Sequence, residues 1–403
     1  MPISKKQKKI LTFPYTGKDA LICDGAIRSG KTVFMMLSFV LWAMNNFNNQ
    51  RFAICGKTVD STVKNIISPF ISIKYIKDNF NISWKRTDKL LIIGRGSKEN
   101  IFEIFGGKDE SSFMLIQGRT LAGVLLDEVA LQPRSFVEQA LARCSVEGSK
   151  FWFNCNPDSP QHWFYQEWIC KPEHHNATRI HFELDDNPSL SQKIKDRYKS
   201  MYTGVFYQRY ILGEWVIAEG LVYDFGEDNI TDEVPNGGDY YISIDYGTQN
   251  PFSAGLWCVL GDKAVRIKEY YYNGRKNGRQ LTDDEYCDAV EKLSEGYNIK
   301  KIIVDPSAAS FIAAIHKRGF PVIKAKNDVM DGIRCTATLL KNGNVKIHRS
   351  CTDSISEFGL YSWDSKASED RVIKENDHAM DDIRYFCYTI MKNKVRAFCH
   401  DTW

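Results

Sequence analysis

Residues 25–32, GAIRSGKT, place two glycines, a lysine and a threonine at the spacing G-x-x-x-x-G-K-[ST]. In this pattern the glycines let the backbone turn tightly and point its N–H groups at phosphate oxygens. The lysine brings a positive charge to the β- and γ-phosphates, and the threonine hydroxyl can bind Mg²⁺. A strand-like run, DALICDG, leads into the motif, and a helix-like run, KTVFMMLSFVLWAMNN, leaves it. We therefore predict an ATP- and Mg²⁺-binding loop, in which Lys31 is also catalytic, formed by Gly25, Ala26, Ile27, Arg28, Ser29, Gly30, Lys31 and Thr32.

A second GKT occurs at residues 56–58, after the strand-like run RFAIC. It lacks the first glycine of the pattern, because position 51 is an arginine. We predict a loop at this point, one that could face DNA, and no second nucleotide site.

Acids and amides follow two further strand-like runs of the first half. GVLLDEVAL ends in Asp127, predicted to lie beside Mg²⁺, and Glu128, predicted to orient the attacking water as the catalytic base. KFWFNCNP ends in Asn154 and Asn156, which could sense the γ-phosphate and relay its loss to other parts of the protein. A turn rich in Asn and Pro is the alternative for these two amides.

Two arginines of the first half could stabilise charge in the transition state of nucleotide hydrolysis. Arg28 lies inside the loop motif, and Arg119 lies shortly before the GVLLDEVAL run. Either could act on its own subunit or on a neighbouring one, and an ordinary surface arginine is the alternative for both.

The second half carries carboxylates at the ends of separate segments. Asp245 ends YYISIDYG and Asp305 ends KKIIVDPS, while DHAMDDIRY begins a predicted helix on which His378 and Asp381 share a face. Acids from such segments can converge on two hard divalent cations that clamp a phosphodiester during hydrolysis. Glu269, at the end of AVRIKEY, is a possible further ligand. Asp382 is the alternative to Asp381, and the spacing from His378 favours Asp381.

The alternation of elements divides the chain into two α/β domains. Strand-like and helix-like runs alternate over residues 1–215, which predicts a parallel sheet. Residues 216–238 are rich in acids, glycine and proline and are predicted to be a linker. Residues 239–403 begin with three consecutive strand-like runs and then alternate helix and strand, which predicts a mixed sheet.

Composition points to a soluble intracellular protein. The 403 residues are 43% hydrophobic, with a net charge of +3 that neither demonstrates nor excludes nucleic-acid binding. The 11 cysteines form no CxxC pair, as expected for reduced thiols, and no apolar run is long enough to span a membrane. The basic segment NGRKNGR, at 273–279, could contact a nucleic-acid backbone.

The chain resembles the large terminase subunits of tailed double-stranded DNA bacteriophages or prophages. The resemblance runs from about Leu21 to Tyr385 and rests on seven segments in order: GAIRSGKT, GVLLDEVAL, FNCNP, LGEW, ISIDYG, IIVDPS and DHAMDDIRY. It implies an ASCE/RecA-like P-loop ATPase domain followed by a ribonuclease H-like nuclease domain. It also implies that Asn154–Asn156 couple hydrolysis to DNA movement. The metal ligands it implies for two Mg²⁺ or Mn²⁺ are Asp245, Asp305 and Asp381, with His378 in the family's H-x-x-D and Glu269 as a possible extra.

The resemblance further implies a motor that translocates double-stranded DNA into a prohead and cuts concatemeric DNA to start and end packaging. Its partners would be the portal protein, the prohead and a small terminase subunit, with a homo-oligomeric ring on the portal. Such a protein works in the bacterial host cytoplasm, transiently at the portal vertex, and is absent from the mature virion. The alternatives are a helicase-nuclease of DNA repair or replication, and a nucleotide-gated DNA-binding scaffold whose nuclease acids no longer cut.

Overall fold

The computed structural model describes residues 2–247, 250–364, 367 and 370–395. Two compact units make up the chain. The first contains the residues up to 197 together with 207–217, and the second contains 198–206 together with the residues from 218 onward.

The first unit is built on an eight-stranded sheet with the order β3-β4-β5-β2-β6-β7-β1-β8. The six strands from β5 to β8 in this order are parallel, while β3 and β4 form an antiparallel edge. The parallel sheet predicted for the first half is therefore confirmed. The strands are β1 Ala20–Gly25, β2 Arg51–Gly56, β3 Asn81–Lys85, β4 Leu90–Arg95, β5 Lys98–Gly106, β6 Gly123–Asp127, β7 Lys150–Cys155 and β8 Ala177–Phe182.

Helices cover both faces of this sheet, so β1 is buried along its whole length and reads as a continuous apolar run. On one face Phe39 of the long helix α2 packs edge-on against Trp152 of β7, with 5.0 Å between ring centroids. On the other face Phe136 of α6 contributes to a second apolar cluster. The helices are α1 Lys5–Thr12, α2 Lys31–Asn46, α3 Val59–Thr62, α4 Ser68–Ser72, α5 Lys74–Asn79 and α6 Arg134–Ala142, followed by α7 Gln192–Met201 and α8 Gly204–Tyr207, where the chain passes between the units.

The second unit is built on a seven-stranded mixed sheet with the order β14-β13-β10-β11-β12-β15-β9. Strands β10, β11 and β12 are antiparallel neighbours, and β13 runs parallel to β10. The mixed sheet predicted for the second half is therefore confirmed. The strands are β9 Ile230–Thr231, β10 Asp239–Asp245, β11 Phe252–Leu260, β12 Lys263–Tyr272, β13 Ile299–Val304, β14 Val322–Lys324 and β15 Val345–His348.

The last long helix of the second unit, α14, lies against the middle of this sheet. Its Phe386 stacks on Trp257 of β11 with 4.0 Å between ring centroids, so the helix is fixed beside β10 and β11. The helices of this unit are α9 Gly274–Asn277, α10 Asp283–Ser294, α11 Ala309–Lys317, α12 Val329–Lys341, α13 Thr352–Phe358 and α14 His378–Thr389.

The linker predicted at 216–238 is not a free connection, because most of it packs in the second unit. Leu221 bridges to Ser362, and β9 pairs in parallel with β15 at the sheet edge. Asn229 donates a hydrogen bond to the Leu340 carbonyl at 3.0 Å. Before this segment, residues 198–206 belong to the second unit and residues 207–217 to the first. No helix in the described part of the chain is long and apolar enough to cross a membrane.

Candidate functional site

The GAIRSGKT segment forms the turn between β1 and α2, at the carboxyl end of the parallel sheet. Gly25 has φ 126°, and a Cβ there would lie 1.9 Å from the Phe182 carbonyl oxygen, so only glycine fits. Gly30 precedes the first turn of α2 with φ 85°, again in the left-handed region. The Ala26 N–H is already used, donating to the Phe182 carbonyl at 2.7 Å.

The Lys31 ammonium lies beneath this loop and is 5% exposed. It donates to the carbonyls of Gly25 at 3.0 Å and Ala26 at 2.7 Å, and to Asn156 Oδ1 at 3.3 Å. Burial lowers the pKa of Lys31 from its ordinary value, against the opposing charges of neighbouring thiols and carboxylates. The lysine is therefore held by oxygen atoms, and phosphate oxygens are ligands of the same kind.

A cluster of oxygen atoms lies beside Lys31. Asp127 and Asn154 are register partners on β6 and β7, and Thr32 Oγ1 donates to Asp127 Oδ1 at 3.5 Å. Asn154 Nδ2 donates to Thr32 Oγ1 at 2.9 Å and also to Asp127, while its Oδ1 is buried without a partner among the described residues. Burial, together with the charge of Glu128, raises the pKa of Asp127 to about 7. These oxygen donors fit a Mg²⁺ ion, since a cation would satisfy both the carboxylate and the orphaned amide oxygen.

Glu128 follows β6 directly and has a left-handed backbone, with φ 54° and ψ 43°. A short turn over Val129–Leu131 comes next, and the Leu131 N–H donates to the Glu128 carbonyl at 2.8 Å. Glu128 is therefore at the same edge of the sheet as the phosphate-binding loop.

The two candidate arginines lie in different places. Arg28 is exposed inside the loop, and its carbonyl accepts a hydrogen bond from Asn187 at 2.6 Å. Arg119 precedes the amino end of β6 and forms an ion pair with Glu103 at 3.3 Å. The five-residue strand β6 separates Arg119 from the Asp127 edge by roughly 15 Å, at about 3.3 Å per residue. Arg119 therefore lies away from the loop of its own subunit, and its role in nucleotide hydrolysis stays a prediction.

Asp24, which the sequence reasoning did not single out, is a buried carboxylate next to the loop and contacts three other side chains. It accepts hydrogen bonds from Arg179 Nη2 at 2.8 Å and from Trp215 Nε1 at 3.0 Å, and His181 Nδ1 lies 3.3 Å from it. Although burial opposes ionisation, the bonds from Arg179 and His181 lower the pKa of Asp24 to about 2. The signal in the sequence was a single acid inside the apolar run ALICDG, directly before the motif.

In the second unit, the acids predicted from strand ends and from α14 line one cavity of about 800 Å³. Asp245 and Asp305 come to the same edge because Ile244 and Val304 are register partners on the parallel strands β10 and β13. The first turn of α14 adds its side chains from above the sheet. The acidic and imidazole side chains that line the cavity are Asp245, Asp305, Asp377, His378 and Asp381.

Polar groups of the chain itself hold these acids in the present conformation. His378 Nδ1 lies 2.9 Å from Asp245 Oδ2, and Tyr385 donates to Asp305 Oδ2 at 2.6 Å. Arg384 donates to Asp381 Oδ1 at 2.9 Å. Accordingly, within the described ranges no three His, Cys, Asp or Glu side chains converge as a preformed metal site.

The electrostatics of the cavity nevertheless suit a cation. Burial raises the pKa of Asp245 to about 7, and the nearby charge of Asp381 adds to this, while the His378 hydrogen bond opposes it. Burial disfavours charge on His378, but the acids around it, Asp245 first, raise its pKa overall. Hydrogen bonds from Ser307 and Tyr385 outweigh burial and lower the pKa of Asp305. Several carboxylates thus share one cavity, and their oxygen atoms are the donors that hard divalent cations prefer.

The cations Lys374 and Arg275 line the same cavity, and of these only Lys374 escaped the sequence reasoning. Lys374 Nζ lies 3.3 Å from Asp377 Oδ2 and 3.6 Å from Asp381 Oδ2, and its side chain is 59% exposed. Arg275, from the NGRKNGR segment, lines the same cavity. These side chains bring positive charge to the place where an anionic substrate would enter.

Asp381 and Asp382 have separate environments. Asp382 is fully buried between α14 and the sheet, where Arg266 Nη2 donates to it at 3.0 Å and Ser243 Oγ donates at 2.8 Å. Ser253 also donates to it. Its oxygen atoms are therefore committed to an internal ion pair, whereas Asp381 faces the cavity.

Glu269, predicted as a possible extra ligand, does not line the cavity. Its carboxylate accepts the backbone N–H groups of Asp353 at 2.8 Å and Ser354 at 3.2 Å, at the start of α13. Ser354 Oγ donates to it as well, at 2.6 Å. These donors engage both oxygen atoms in the present structure, so the metal-ligand role of Glu269 stays a prediction.

Comparison with known proteins places the chain in a family. Residues 22–229 match the family model described as terminase large subunit, T4likevirus-type, N-terminal. The solved structure of the large terminase from a thermophilic bacteriophage is 49% identical with a TM-score of 0.91, covering 97% of this chain and 100% of that one. The same phage protein in complex with ATP-γ-S is 47% identical with a TM-score of 0.87, covering 97% and 100%. The terminase large subunit of Escherichia phage T5 is 24% identical over 238 residues, which are 54% of this chain and 53% of the T5 protein, so the match spans about half of that curated relative. The chain belongs to the large terminase subunit family of bacteriophages.

Proposed function

We propose that this chain is a DNA-packaging motor in which the first unit hydrolyses ATP to translocate double-stranded DNA into a prohead, and the second unit cuts concatemeric DNA. The proposal is supported by two separate groups of side chains in this member of the large terminase family, each of a kind suited to reactions at phosphate. Lys31, Thr32 and Asp127 meet at one sheet edge, and Asp245, Asp305 and Asp381 line one acidic cavity in the other unit.

In the first unit, the Lys31 ammonium would exchange its carbonyl partners for β- and γ-phosphate oxygens. Thr32 and Asp127 would hold Mg²⁺, and Glu128 would orient the attacking water. Asn154 and Asn156 touch Asp127 and Lys31 respectively, so loss of the γ-phosphate would change their hydrogen bonds and couple hydrolysis to movement. The solved complexes of the thermophilic phage's large terminase with ADP and with ATP-γ-S support nucleotide binding by this chain.

In the second unit, Asp245, Asp305 and Asp381 would hold two Mg²⁺ or Mn²⁺ ions, which supply charge neutralisation for phosphodiester hydrolysis. His378 would act on Asp245, either as a further ligand or by fixing the carboxylate through the 2.9 Å contact. Tyr385 holds Asp305 in the same way. Arg275 and Lys374 at the rim would attract the DNA backbone without reading its sequence.

The wider setting follows from family membership and remains part of this proposal. The chain would form a homo-oligomeric ring on the portal protein of a prohead and receive DNA from a small terminase subunit. Arg119, which lies far from its own loop, would then be available to a neighbouring subunit. The protein would act in the host bacterial cytoplasm, transiently at the portal vertex, and would be absent from the mature virion.

Two single substitutions test whether the chemistries are separate. Lys31→Ala should abolish ATP turnover and leave Mn²⁺-dependent plasmid cleavage intact. Asp305→Ala should abolish cleavage and leave ATP turnover intact. The matched controls are Lys98→Ala and Asp262→Ala, which replace exposed residues away from both sites.

The proposal fails if either variant loses both activities while it remains folded, or if neither variant loses any. ATP turnover measured with and without proheads addresses the packaging role. Stimulation by DNA alone, with no response to proheads, would instead favour a helicase-nuclease of repair or replication.

A further inference from the structure

The second GKT, at residues 56–58, lies at the carboxyl end of β2, beside the strand that carries Asp127. Cys55 of β2 and Leu126 of β6 are register partners, so the residues after both strands meet at the same sheet edge. A Cβ on Gly56 would lie 2.2 Å from Thr62 Oγ1, which explains the glycine. Thr58 Oγ1 accepts the Ser61 N–H at 3.1 Å and caps α3, which explains the threonine. Local packing leaves the lysine between them unexplained.

The Lys57 ammonium joins two loops at this edge. It donates to the Leu131 carbonyl at 2.7 Å and to the Lys108 carbonyl at 3.1 Å. Leu131 closes the short turn after Glu128, and its own N–H returns to the Glu128 carbonyl at 2.8 Å. Lys57 therefore holds Leu131, the last residue of the turn that begins at Glu128.

This turn needs external support because Glu128 has a left-handed backbone, at φ 54° and ψ 43°. A non-glycine residue keeps such a conformation only where the surrounding structure holds it. A second contact comes from the opposite side, where Gln132 Nε2 donates to the Asp127 carbonyl at 2.6 Å. Lys57 and Gln132 thus fix the backbone on both sides of Glu128.

We propose that Lys57 is a positioning residue for ATP hydrolysis, which holds the turn that aims Glu128 at the attacking water and makes no contact with the nucleotide. The proposal rests on the proposed function, in which Glu128 orients that water. A small displacement of a catalytic group lowers the rate of the chemical step without weakening ground-state binding. Loss of the Lys57 ammonium should therefore reduce kcat by about tenfold and leave KM within about twofold.

The experiment compares Lys57→Met with Lys57→Arg and Lys98→Met in basal ATP hydrolysis by the full chain without DNA. Methionine keeps the apolar stem, and arginine keeps a charged donor that can still reach a carbonyl. Lys98 is the matched control, because its ammonium also donates to a backbone carbonyl, that of Asn45 at 3.2 Å, but at the start of β5 on the opposite edge. The expected result is a kcat loss of about tenfold in Lys57→Met alone, while Lys57→Arg keeps at least half of the unmodified rate. The affinity for a fluorescent ATP analogue should be unchanged in all three variants.

Three results would overturn the proposal. The first is a Lys57→Met kcat within twofold of that of Lys98→Met. The second is an equal loss of affinity for the fluorescent ATP analogue. The third is unchanged basal hydrolysis with weakened DNA binding, which would make Lys57 a DNA contact. If Lys57→Met does not fold by circular dichroism, Lys57→Gln replaces it under the same criteria.

A Glu128→Gln variant separates this inference from the proposed function. If Glu128→Gln hydrolyses ATP like the unmodified chain, the role given to Glu128 fails and the positioning role fails with it. If Glu128→Gln is inactive while Lys57→Met is fully active, only the Lys57 inference fails. If Lys57 acts only through Glu128, adding Lys57→Met to Glu128→Gln should not lower the residual rate any further.

Discussion

The adjacent acids Asp381 and Asp382 allow one sharp test of the second unit. Successive residues on a helix point about 100° apart, so α14 directs Asp381 into the cavity and Asp382 into the protein interior. Asp382 and Arg266 are both 0% exposed, and four side-chain donors converge on Asp382. We therefore predict that Asp382→Asn destabilises the second unit, whereas Asp381→Asn leaves it folded and removes DNA cleavage.

The magnitude follows from the contacts. Removing one partner of a buried ion pair costs about 3–5 kcal/mol, because the other charge stays buried. Glu269 Oε2 lies 3.7 Å from Arg266 Nε and offsets part of the loss, so we expect about 3 kcal/mol. For a unit of this size that corresponds to a fall in melting temperature of roughly 6–12 °C.

Asp381→Asn should cost less than about 1 kcal/mol, because the Arg384 side chain keeps its other acceptors. Arg384 Nη1 donates to the Asn327 carbonyl at 2.9 Å and the Asp328 carbonyl at 3.2 Å. The amide oxygen of the new asparagine can also accept from the guanidinium. The same reasoning does not extend to Asp382, where the amide N–H₂ of an asparagine would face two of the four donors, one of them from the Arg266 guanidinium.

Scanning calorimetry of the full chain measures both variants, and Mn²⁺-dependent plasmid cleavage is assayed at a temperature below both transitions. The chain has two units, so the transitions are fitted separately rather than as one two-state process. Equal melting of the two variants would refute the reasoning. So would cleavage by Asp381→Asn at the unmodified rate, since it would remove Asp381 from the site.

The remaining predictions concern pH. The pKa of Asp24 is lowered from 3.8 to about 2, so its ionised form adds about 2 kcal/mol of stability above pH 4 that is lost as pH falls through 2; Asp24→Asn should lower the melting temperature at pH 7 and flatten the acid transition, and an unchanged acid transition would contradict this. The pKa of Asp245 is raised from 3.8 to about 7, so the folded state favours the protonated carboxyl. This adds up to about 4 kcal/mol of stability, which is fully present below pH 4 and is lost as pH rises through 7. In metal-free protein the transition of the second unit should therefore lie at a higher temperature at pH 5 than at pH 8, and Asp245→Asn should reduce that difference. The opposite pH trend in the unmodified chain would show that Asp245 is not the dominant group.

Fixed spacing and strand ends made much of the first unit predictable. The loop motif, the acid after β6 and the amides after β7 all follow β-strands, and the carboxyl ends of parallel strands meet at one edge. At that edge Lys31 contacts Asn156, and Asn154 contacts Thr32 and Asp127. Arg119 does not lie there, because its position before rather than after β6 puts it at the other edge, and only the direction of the strand in the sheet reveals that.

The sequence motifs and their order were enough to predict the family, the two α/β units and the acids at strand ends. These features depend on short-range patterns that each segment carries by itself. The tertiary structure decided which of two neighbouring aspartates faces the cavity, that Glu269 serves the start of α13, and that residues 218–238 pack in the second unit. It also gave Lys57 a partner 74 residues away. Such assignments depend on which donors fill a side chain's hydrogen-bonding capacity. Those donors come from distant parts of the chain and are brought together only by folding.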